Sequence, residues 1–266
     1  MRKPGSKIAT AIYFLRYVAT GRHWKGHGVH SPFVFDFINN VLFDKATYPE
    51  YDFFQILISS LRDSDEELQV HDLGDDSHKF RVKDRKVADL AKTSSVPSKY
   101  GKLLFRITRY YKPKTIIELG TSIGISTLYL AKGHYGSKIL TVEGNRNLCD
   151  FAKRMIGEAE IDNITIENSA FGETINNLSH EFARPQMVFI DGDHRYDATL
   201  KYFTFFEERM KEGILIIDDI YWSAGMRKAW KKIAYQNKKH VTIDLFRMGI
   251  ILIRESITPG HYVVRY

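Results

Sequence analysis

Short apolar runs alternate with helical patterns over the second half of the chain, from about Thr115 onward. A run of consecutive apolar residues predicts a buried strand, and apolar residues that recur every three or four positions predict one face of a helix. By this criterion strands are predicted over residues 114–119, 138–142, 163–167, 186–190 and 214–217, and helices over 126–132, 148–159, 200–210 and 227–235. Because strands and helices alternate, the pattern indicates successive βα units and a mostly parallel sheet.

The last part of the chain carries two further strand patterns, over residues 241–246 and 250–254, with Arg247-Met248-Gly249 as the predicted turn. Gly213 is expected just past the end of the helix before it. The predicted fold class is α/β: a Rossmann-like, doubly wound, mostly parallel seven-stranded sheet with an antiparallel C-terminal edge hairpin, plus an N-terminal mainly helical region.

The N-terminal region is expected to be a separate part, residues 1–95, ahead of a domain over residues 96–266. Helical patterns occupy residues 8–19, 33–43 and 51–62, and residues 70–74 predict a short strand and turn. A helix beginning near Ser98 leads into the second domain and ends at Lys112-Pro113, because a residue before proline disfavours helical geometry. Its predicted inward side chains are Leu103, Leu104, Ile107 and Tyr111.

Composition and charge exclude some classes of protein and favour others. The only cysteine, Cys149, excludes an internal disulfide and a cysteine zinc cluster, and its place in a helical pattern predicts a buried thiol. Arg16 interrupts the early apolar stretch, so we expect an amphipathic helix in a cytoplasmic protein without a membrane span. The net charge of +7 is concentrated in residues 1–35, 99–114 and 227–239, with six Lys and Arg each. Such clusters are typical of a solvated face or of a surface for polyanions.

A glycine-containing turn follows the first predicted strand of the second domain, in the segment Glu118-Leu119-Gly120-Thr121-Ser122-Ile123-Gly124. Glycines there permit unusual backbone angles and a close approach of a ligand, and the helix after the turn offers its N-terminus to an anionic group. The spacing is E-x-G-x-x-x-G, which is not the G-x-G-x-x-G of dinucleotide binding.

A carboxylate also ends the next predicted strand, at Glu143. In Rossmann-like sites an acid at this place binds the ribose hydroxyls of an adenosine group. The glycine turn and this acid together predict a nucleoside-containing ligand.

Three aspartates follow two further predicted strands, Asp191 after one, and Asp218 and Asp219 after the other. Ligands bind at the carboxyl ends of strands in open α/β sheets. Three carboxylates that converge there repel one another unless a cation or a protonated partner balances them. Oxygen ligands favour Mg²⁺ or Ca²⁺ over zinc.

With these motifs, residues 99–255 resemble the class I S-adenosylmethionine-dependent methyltransferases, and more narrowly the catechol and caffeoyl-CoA O-methyltransferase-like group. The resemblance implies a donor site in which the turn holds the methionine part, Glu143 binds the ribose, and a polar segment lies near the adenine. The residues it implies for cofactor binding are Glu118, Gly120, Thr121, Ser122, Gly124, Ser126, Glu143, Ser169, Ala170, Phe171 and Asp191. Ser98-Lys99-Tyr100-Gly101 matches the family's segment ahead of the first strand in position only.

The resemblance also implies catalytic and metal residues. Asp191, Asp218 and Asp219 correspond to a divalent metal site, for which Mg²⁺ is the expected ion, although the family usually has an amide where Asp219 stands. His194 occupies the place of a lysine general base, and a histidine can take that role because it titrates near neutral pH. His194 and Asp191 are therefore the expected catalytic residues, with a capping role as the alternative for His194.

The histidines of the N-terminal loop, His23, His27 and His30, are either metal ligands, part of an acceptor pocket with Trp24 and Phe33, or ordinary hydrogen-bonding groups. We expect residues 1–95 to cover the strand ends and to determine the acceptor, and Trp222 to contact it.

The function predicted from the sequence is transfer of a methyl group to an oxygen of a small molecule, by an enzyme of class EC 2.1.1. The alternatives are a methyltransferase acting on RNA or another polyanion, and a non-catalytic binding protein on the same fold. The absence of an Asn/Asp-Pro-Pro-aromatic motif disfavours methylation of base amino groups. A nicotinamide dehydrogenase is disfavoured by the glycine spacing. The oligomeric state stays open, and a homo-oligomer is compatible with these features.

Overall fold

The structure, a computed structural model, describes residues 7–21, 29, 31–72, 81–236, 238–255 and 257–266. The described chain divides into two compact units that each combine segments from both sides of residue 95. The first unit is formed by Asp44–Lys112 and Gly120–Leu178, and the second by the described parts of Lys3–Phe43, Pro113–Leu119 and Ser179–Tyr266. The division into residues 1–95 and 96–266 stays a prediction.

The first unit contains helices and two small sets of strands. Its elements are α3 (Glu50–Arg62), β1 (Glu67–Asp72), β2 (Arg81–Lys86), α4 (Val87–Thr93), α5 (Ser98–Tyr111), α6 (Ile125–Gly133), β4 (Lys138–Val142), α7 (Arg146–Glu158), β5 (Ile164–Glu167) and α8 (Phe171–Asn176). Strands β1 and β2 pair antiparallel, and β4 and β5 pair parallel. The helical prediction for residues 51–62 is confirmed. The predicted strand at 70–74 is longer than expected, while Leu73 and Gly74 lie outside the described residues.

The second unit contains the remaining elements. They are α1 (Lys7–Thr20), α2 (Pro32–Phe37) with a π-helical continuation (Ile38–Leu42), β3 (Thr115–Leu119), β6 (Met187–Ile190), α9 (Tyr196–Glu207), β7 (Gly213–Ile217), α10 (Ala224–Lys231) with a π-helical continuation (Lys232–Gln236), β8 (Val241–Asp244), β9 (Gly249–Ile253) and β10 (Gly260–Val263). Its strands follow the order β10-β8-β9-β7-β6-β3. Strands β3, β6 and β7 are parallel to one another, and β9 is antiparallel to both β7 and β8.

The predicted α/β fold class with a mostly parallel sheet and an antiparallel hairpin is confirmed, with differences in detail. Beyond the predicted hairpin, the second unit has a further strand, β10, which pairs in parallel with β8. The turn spans residues 245–248, since β8 already ends at Asp244 and Gly249 begins β9.

Gly213 was expected just past a helix and is instead the first residue of β7, with five residues between it and the end of α9. A Cβ atom on Gly213 would lie 2.2 Å from the carbonyl oxygen of Gln186. The glycine therefore serves the close approach of two backbones and not a helix cap.

Apolar burial explains why these segments form strands and helices. Strands β6 and β7 bury all or nearly all of their side chains, as expected of central parallel strands covered on both faces. Helix α5 buries Leu103, Leu104 and Ile107 completely, whereas Tyr111 stays partly exposed. Cys149 is buried as predicted, and burial raises the pKa of its thiol. Among the described residues no helix is long and apolar enough to cross a membrane.

The N- and C-terminal segments of the second unit are joined by one buried tyrosine. The Tyr17 hydroxyl of α1 donates to the carbonyl oxygen of Val264 at 2.6 Å and accepts from the Tyr266 amide at 3.0 Å. The Phe246 ring packs against Tyr17 and stacks on Tyr221, with centroids 5.3 and 4.9 Å apart. Helix α1 thus belongs to the same packed body as the C-terminal strands.

Candidate functional site

The glycine turn of the first unit is held in a conformation that L-residues rarely adopt. Gly120, Ser122 and Gly124 have φ angles of 111°, 49° and 86°. The amides of Gly120 and Thr121 both donate to the carbonyl oxygen of Val142, at 3.0 and 3.3 Å. Glycine at two of the three positions limits the cost of these angles, and helix α6 starts directly after Gly124.

Glu143 lies beside this turn and is bound by the main chain. Its Oε2 accepts from the amide of Ser122 and its Oε1 from the amide of Asn145, both at 2.8 Å. Burial raises the pKa of this carboxyl, while the amide donors oppose that rise. The side chain stays partly exposed, so each oxygen can accept a further hydrogen bond.

Side chains behind the turn fix its position. The hydroxyls of Thr121 and Thr141 share a buried hydrogen bond of 2.6 Å. A Cβ atom on Gly124 would lie 3.4 Å from the Cβ of Ala152 in α7. Ser126, in the first turn of α6, is largely buried. The turn therefore packs tightly on its own unit.

The segment after β5 adjoins Glu143 through its backbone. The side-chain amide of Asn168 donates to the Glu143 carbonyl oxygen at 2.8 Å. The Ser169 hydroxyl contacts the Thr174 hydroxyl, and Thr174 donates to Glu167 at 2.8 Å. Ala170 is exposed and Phe171, at the start of α8, is partly exposed. These residues form a polar rim with accessible surface, the environment predicted near the adenine.

Glu118 belongs to the second unit, where it lies near the end of β3. Its side chain is completely buried. It faces Phe189 of β6 in the strand register and acts electrostatically on Asp191, whose pKa it helps to raise.

Asp218 follows β7 in the second unit and is bound by an arginine from the next hairpin. Arg247 Nε lies 3.0 Å from Asp218 Oδ1, and Arg247 Nη2 lies 2.7 Å from Asp218 Oδ2. The Asp218 side chain is completely buried. This is a two-point ion pair, the geometry in which arginine binds a carboxylate most strongly.

Asp191, Asp219 and His194 surround that pair. Arg247 Nη2 lies 3.4 Å from Asp219 Oδ1, and His194 Nε2 lies 3.9 Å from one oxygen each of Asp191 and Asp219. Burial, and then the charges of Asp218 and Asp219, raise the pKa of Asp191 well above its usual range. Burial, and then Asp218, raise the pKa of Asp219 to about 7, while Arg247 opposes the rise.

The turn that presents Arg247 is itself anchored. Phe246 has a φ of 68°, and its amide donates to Asp244 Oδ1 at 2.8 Å. Asp244 Oδ2 accepts from the Tyr221 hydroxyl and from the Trp230 indole, at 2.9 and 3.0 Å. The guanidinium therefore extends from a turn with little freedom to move.

The acidic cluster, Asp191, Asp218 and Asp219, was predicted to hold Mg²⁺, and the arrangement of its side chains does not fit a divalent ion. Both oxygens of Asp218 are hydrogen-bonded to Arg247, so the carboxylate that lies deepest is already neutralised. In the parts of the chain that the structure describes, no group of three or more His, Cys, Asp and Glu side chains is arranged to hold a metal.

The predicted residues are thus distributed over two places in the fold. Within the first unit the structure brings Ser122 into direct contact with Glu143. Ser169 directly follows Asn168, whose side chain donates to the Glu143 carbonyl oxygen. Within the second the structure gathers the acidic cluster and His194. Trp222 is exposed, with 41% of its surface accessible. His23, Trp24, His27 and His30 lie outside the described residues.

Sequence reasoning missed the partners of these carboxylates. Asn145, whose backbone amide binds the Glu143 carboxylate, lies close to the motif residue and could have been found by asking which amides reach Glu143. Arg247 was assigned only to a hairpin turn. The signal available was chemical, because three carboxylates need a cation and the turn before β9 lies at the carboxyl end of β7.

Sequence comparison finds relatives for the middle of the chain. Residues 117–220 match a family described as methyltransferase domain. The chain is 27% identical over 128 residues to catechol O-methyltransferase of Bos taurus, and the match covers 47% of each protein. The chain thus spans about half the length of this curated relative. The resemblance to class I S-adenosylmethionine-dependent methyltransferases is confirmed by these two matches.

Solved structures extend the likeness of fold over more of the chain. An S-adenosylhomocysteine-bound methyltransferase of Podospora anserina has a TM-score of 0.57 at 13% identity, covering 96% of this chain and 98% of that one. An O-methyltransferase of Bacillus cereus, in complex with the same compound, has a TM-score of 0.52 at 18% identity, covering 82% and 96%. At these identities the likeness concerns the fold alone.

Proposed function

We propose that this chain is an S-adenosylmethionine-dependent methyltransferase that transfers the methyl group to an oxygen of a small molecule. The observation that carries the proposal is Glu143, whose two carboxylate oxygens are each bound by one backbone amide beside the glycine turn. The match of residues 117–220 to a methyltransferase domain and the names of the similar proteins support it.

The arrangement of Glu143 suits the two hydroxyls of a ribose. Each carboxylate oxygen has two lone pairs, and the main chain of Ser122, Gly144 and Asn145 interacts with the Glu143 carboxylate without using all four. The partly exposed carboxylate can accept hydrogen bonds from neighbouring hydroxyls, and the amide donors keep it in a fixed orientation. Gly120, Thr121, Ser122, Gly124 and Ser126 are proposed to bind the methionine part, and Ser169, Ala170 and Phe171 to border the adenine.

Roles for the buried acids are part of the proposal. Glu118, which is completely buried near the end of β3, is proposed to balance the ammonium group of the donor, because an acid at the end of this strand suits a ligand that carries an ammonium group. Asp191 is proposed to contribute to the same cofactor and to orient His194, whose Nε2 is 3.9 Å from it. These assignments rest on the resemblance and on the buried positions of the two carboxyls.

The chemistry is a displacement at a methyl carbon. When bound, the donor supplies a sulfonium methyl group, so that the bond from carbon to the acceptor oxygen forms while the bond from carbon to sulfur breaks, leaving a neutral thioether. The acceptor hydroxyl gives up a proton, and His194 is proposed to take it and release it to water. Alignment of acceptor and donor accounts for most of the remaining catalysis.

A divalent metal is not included in these steps. Mg²⁺ at the acidic cluster was predicted from the sequence, and the ion pairing of Asp218 with Arg247 gives that prediction no support. Side chains of this chain are therefore proposed to accept the proton and to orient the proton acceptor.

The acceptor is proposed to be a small molecule selected by residues 1–95, with Trp222 in contact with it. A polyanionic acceptor is the less favoured candidate, because some cations of the described basic clusters pack on aromatic rings within their own unit. Lys102 and Arg109 lie 4.5 and 4.7 Å from the ring centroids of Tyr51 and Tyr48. A homo-oligomer and a cytoplasmic location stay predictions.

The test is calorimetric titration with S-adenosylhomocysteine. We expect micromolar binding to the wild-type chain and a loss of about 100-fold or more in Glu143→Ala, because two hydrogen bonds to a charged group contribute roughly 3 kcal/mol or more. Glu158→Ala, which removes an exposed carboxylate at the end of α7, is the matched control and should bind like the wild type.

Two results would overturn the proposal. One is an absence of binding, and the other is a preference for NAD over S-adenosylhomocysteine. Binding without methyl transfer to any hydroxylated acceptor of a broad panel would favour the non-catalytic alternative.

A further inference from the structure

We propose that Arg247 is the resident cation of the acidic cluster, and that the cluster consequently takes no divalent metal. The resemblance implies a metal at Asp191, Asp218 and Asp219. In this chain a guanidinium contacts two of those three carboxylates instead.

The distances describe a saturated ion pair at Asp218. Arg247 Nε also lies 3.1 Å from the second oxygen of Asp218, in addition to the two shorter contacts with that carboxylate. The Asp218 side chain has no exposure to solvent, and the Arg247 side chain keeps 28%. A metal ion would have to displace a two-point hydrogen-bonded partner from a buried site, which costs far more than displacing water.

A backbone hydrogen bond connects Arg247 to the loop that carries Asp218 and Asp219. The amide of Ile220, the residue directly after Asp219, donates to the carbonyl oxygen of Arg247 at 3.0 Å. Asp244 holds the preceding turn through the Phe246 amide and is itself held by Tyr221 and Trp230. The backbone of Arg247 is therefore hydrogen-bonded to the acidic loop, and the position of the guanidinium does not depend on side-chain packing alone.

The charges also favour this arrangement over a metal-bound one. One guanidinium offsets one of the three carboxylates, and the imidazole of His194 lies 3.9 Å from one oxygen each of the other two. Adding a divalent ion to the same place would bring it against the positive charge of Arg247. Cation–cation repulsion and the loss of Asp218 as a ligand both oppose metal binding.

A functional consequence follows that rests on the proposed function. If the chain transfers a methyl group, transfer proceeds without Mg²⁺, and Arg247 acts as a positioning residue that keeps Asp219 next to His194. The first part of the inference, which concerns metal binding, does not depend on any activity.

The experiment titrates the full-length protein with Mn²⁺ and follows the free ion by electron paramagnetic resonance. The variants are Arg247→Met, which keeps an unbranched side chain without its charge, Arg247→Lys, and Asp218→Asn. Arg254→Met is the matched control, because Arg254 forms an exposed ion pair with Glu212 at 3.3 Å, just after β9. Circular dichroism checks that each variant is folded, and S-adenosylhomocysteine titration with EDTA reports on the donor site separately.

We expect no stoichiometric Mn²⁺ site in the wild type, Arg247→Lys or Arg254→Met, and a gain of at least about tenfold in Mn²⁺ affinity in Arg247→Met. A wild-type site with one Mn²⁺ that Asp218→Asn removes would overturn the inference, and this comparison stands even if Arg247→Met does not fold. A folded Arg247→Met that gains no Mn²⁺ affinity would also overturn it. Loss of S-adenosylhomocysteine binding in every arm would count against the proposed function and leave the result on metal unaffected.

Discussion

The glycine turn of the first unit and the acidic cluster of the second differ in the groups that bind a carboxylate. Glu143 is held by backbone amides, one from the turn and one two residues along the chain. Asp218 is held by the side chain of Arg247, 29 residues away on another hairpin. The amides leave lone pairs on Glu143 open to a ligand, whereas the guanidinium uses both oxygens of Asp218.

This difference shows that two carboxylates at similar positions in the fold can have different chemistry. Both carboxylates end a strand of a parallel sheet, and both were expected to bind a ligand. Only the one with neutral main-chain donors keeps a net charge and free acceptor positions. The other is already neutralised within the protein, which changes the cluster from a predicted metal site to an internal ion pair.

The largest effect is expected where the ion pair is broken. We predict that Asp218→Asn lowers the free energy of unfolding by roughly 3 kcal/mol, because Arg247 is left without its buried partner. Asp150→Asn, which removes an exposed i,i+4 pair with Arg146, should cost less than about 0.5 kcal/mol. Urea unfolding followed by circular dichroism measures both, and equal losses would show that Asp218 is not a buried, neutralised acid.

The second-largest loss of stability is expected for a substitution in the glycine turn. We predict that Gly124→Ala costs about 2 kcal/mol, because a φ of 86° is unfavourable for alanine and its Cβ would crowd Ala152. Gly157→Ala is the control, since nothing lies within 4 Å of a Cβ there and helix α7 should gain about 0.5–1 kcal/mol. Thermal unfolding separates the two directions, and a neutral Gly124→Ala would mean that the turn can relax.

A third effect concerns a long-range contact, between Tyr17 and Val264. We predict that Tyr17→Phe costs about 1.5 kcal/mol at pH 8, through the loss of a buried hydrogen bond. Burial raises the pKa of Tyr17 to about 12, from 10 in the unfolded chain, so the folded state favours the neutral phenol. The stabilisation is complete below pH 10 and declines as the pH rises towards 12.

The measurement is the free energy of unfolding of the wild type and Tyr17→Phe between pH 8 and pH 12. The difference between them should narrow above pH 10. Tyr135→Phe, at a tyrosine with 60% exposure, is the control and should keep the decline of the wild type. A difference that stays constant to pH 12 would contradict the assigned role of the Tyr17 hydroxyl.

The smallest effect separates helix capping from ligand binding. Asn145→Ala and Ser223→Ala each remove an N-cap acceptor, at 3.0 Å from Leu148 N and 3.1 Å from Met226 N, and each should cost about 1 kcal/mol. We predict that Asn145→Ala alone weakens S-adenosylhomocysteine binding by several-fold, because loss of the cap loosens the backbone whose Asn145 amide donates to Glu143. Calorimetry on both variants decides, and equal affinities would show that the cap does not position this amide.

The sequence alone was sufficient for those features whose causes are close along the chain. The strand over Lys138–Val142 and the glycine turn each depend on residues that lie close together along the chain. Hydrophobic periodicity and the backbone freedom of glycine act over a few residues, so a sequence pattern contains them. The hairpin of β8 and β9 was predictable for the same reason.

Only the tertiary structure decided the features that depend on distant residues. Strand β10 has weak periodicity and gains its place by pairing with β8. Gly213 opens a strand because Gln186 lies against it, and α1 belongs to a body completed by the last residues of the chain. Arg247 reaches Asp218 because β9 runs antiparallel beside β7, which brings the hairpin turn to the end of that strand. The sequence determined that three carboxylates needed a cation, and the strand order determined that an arginine provides it.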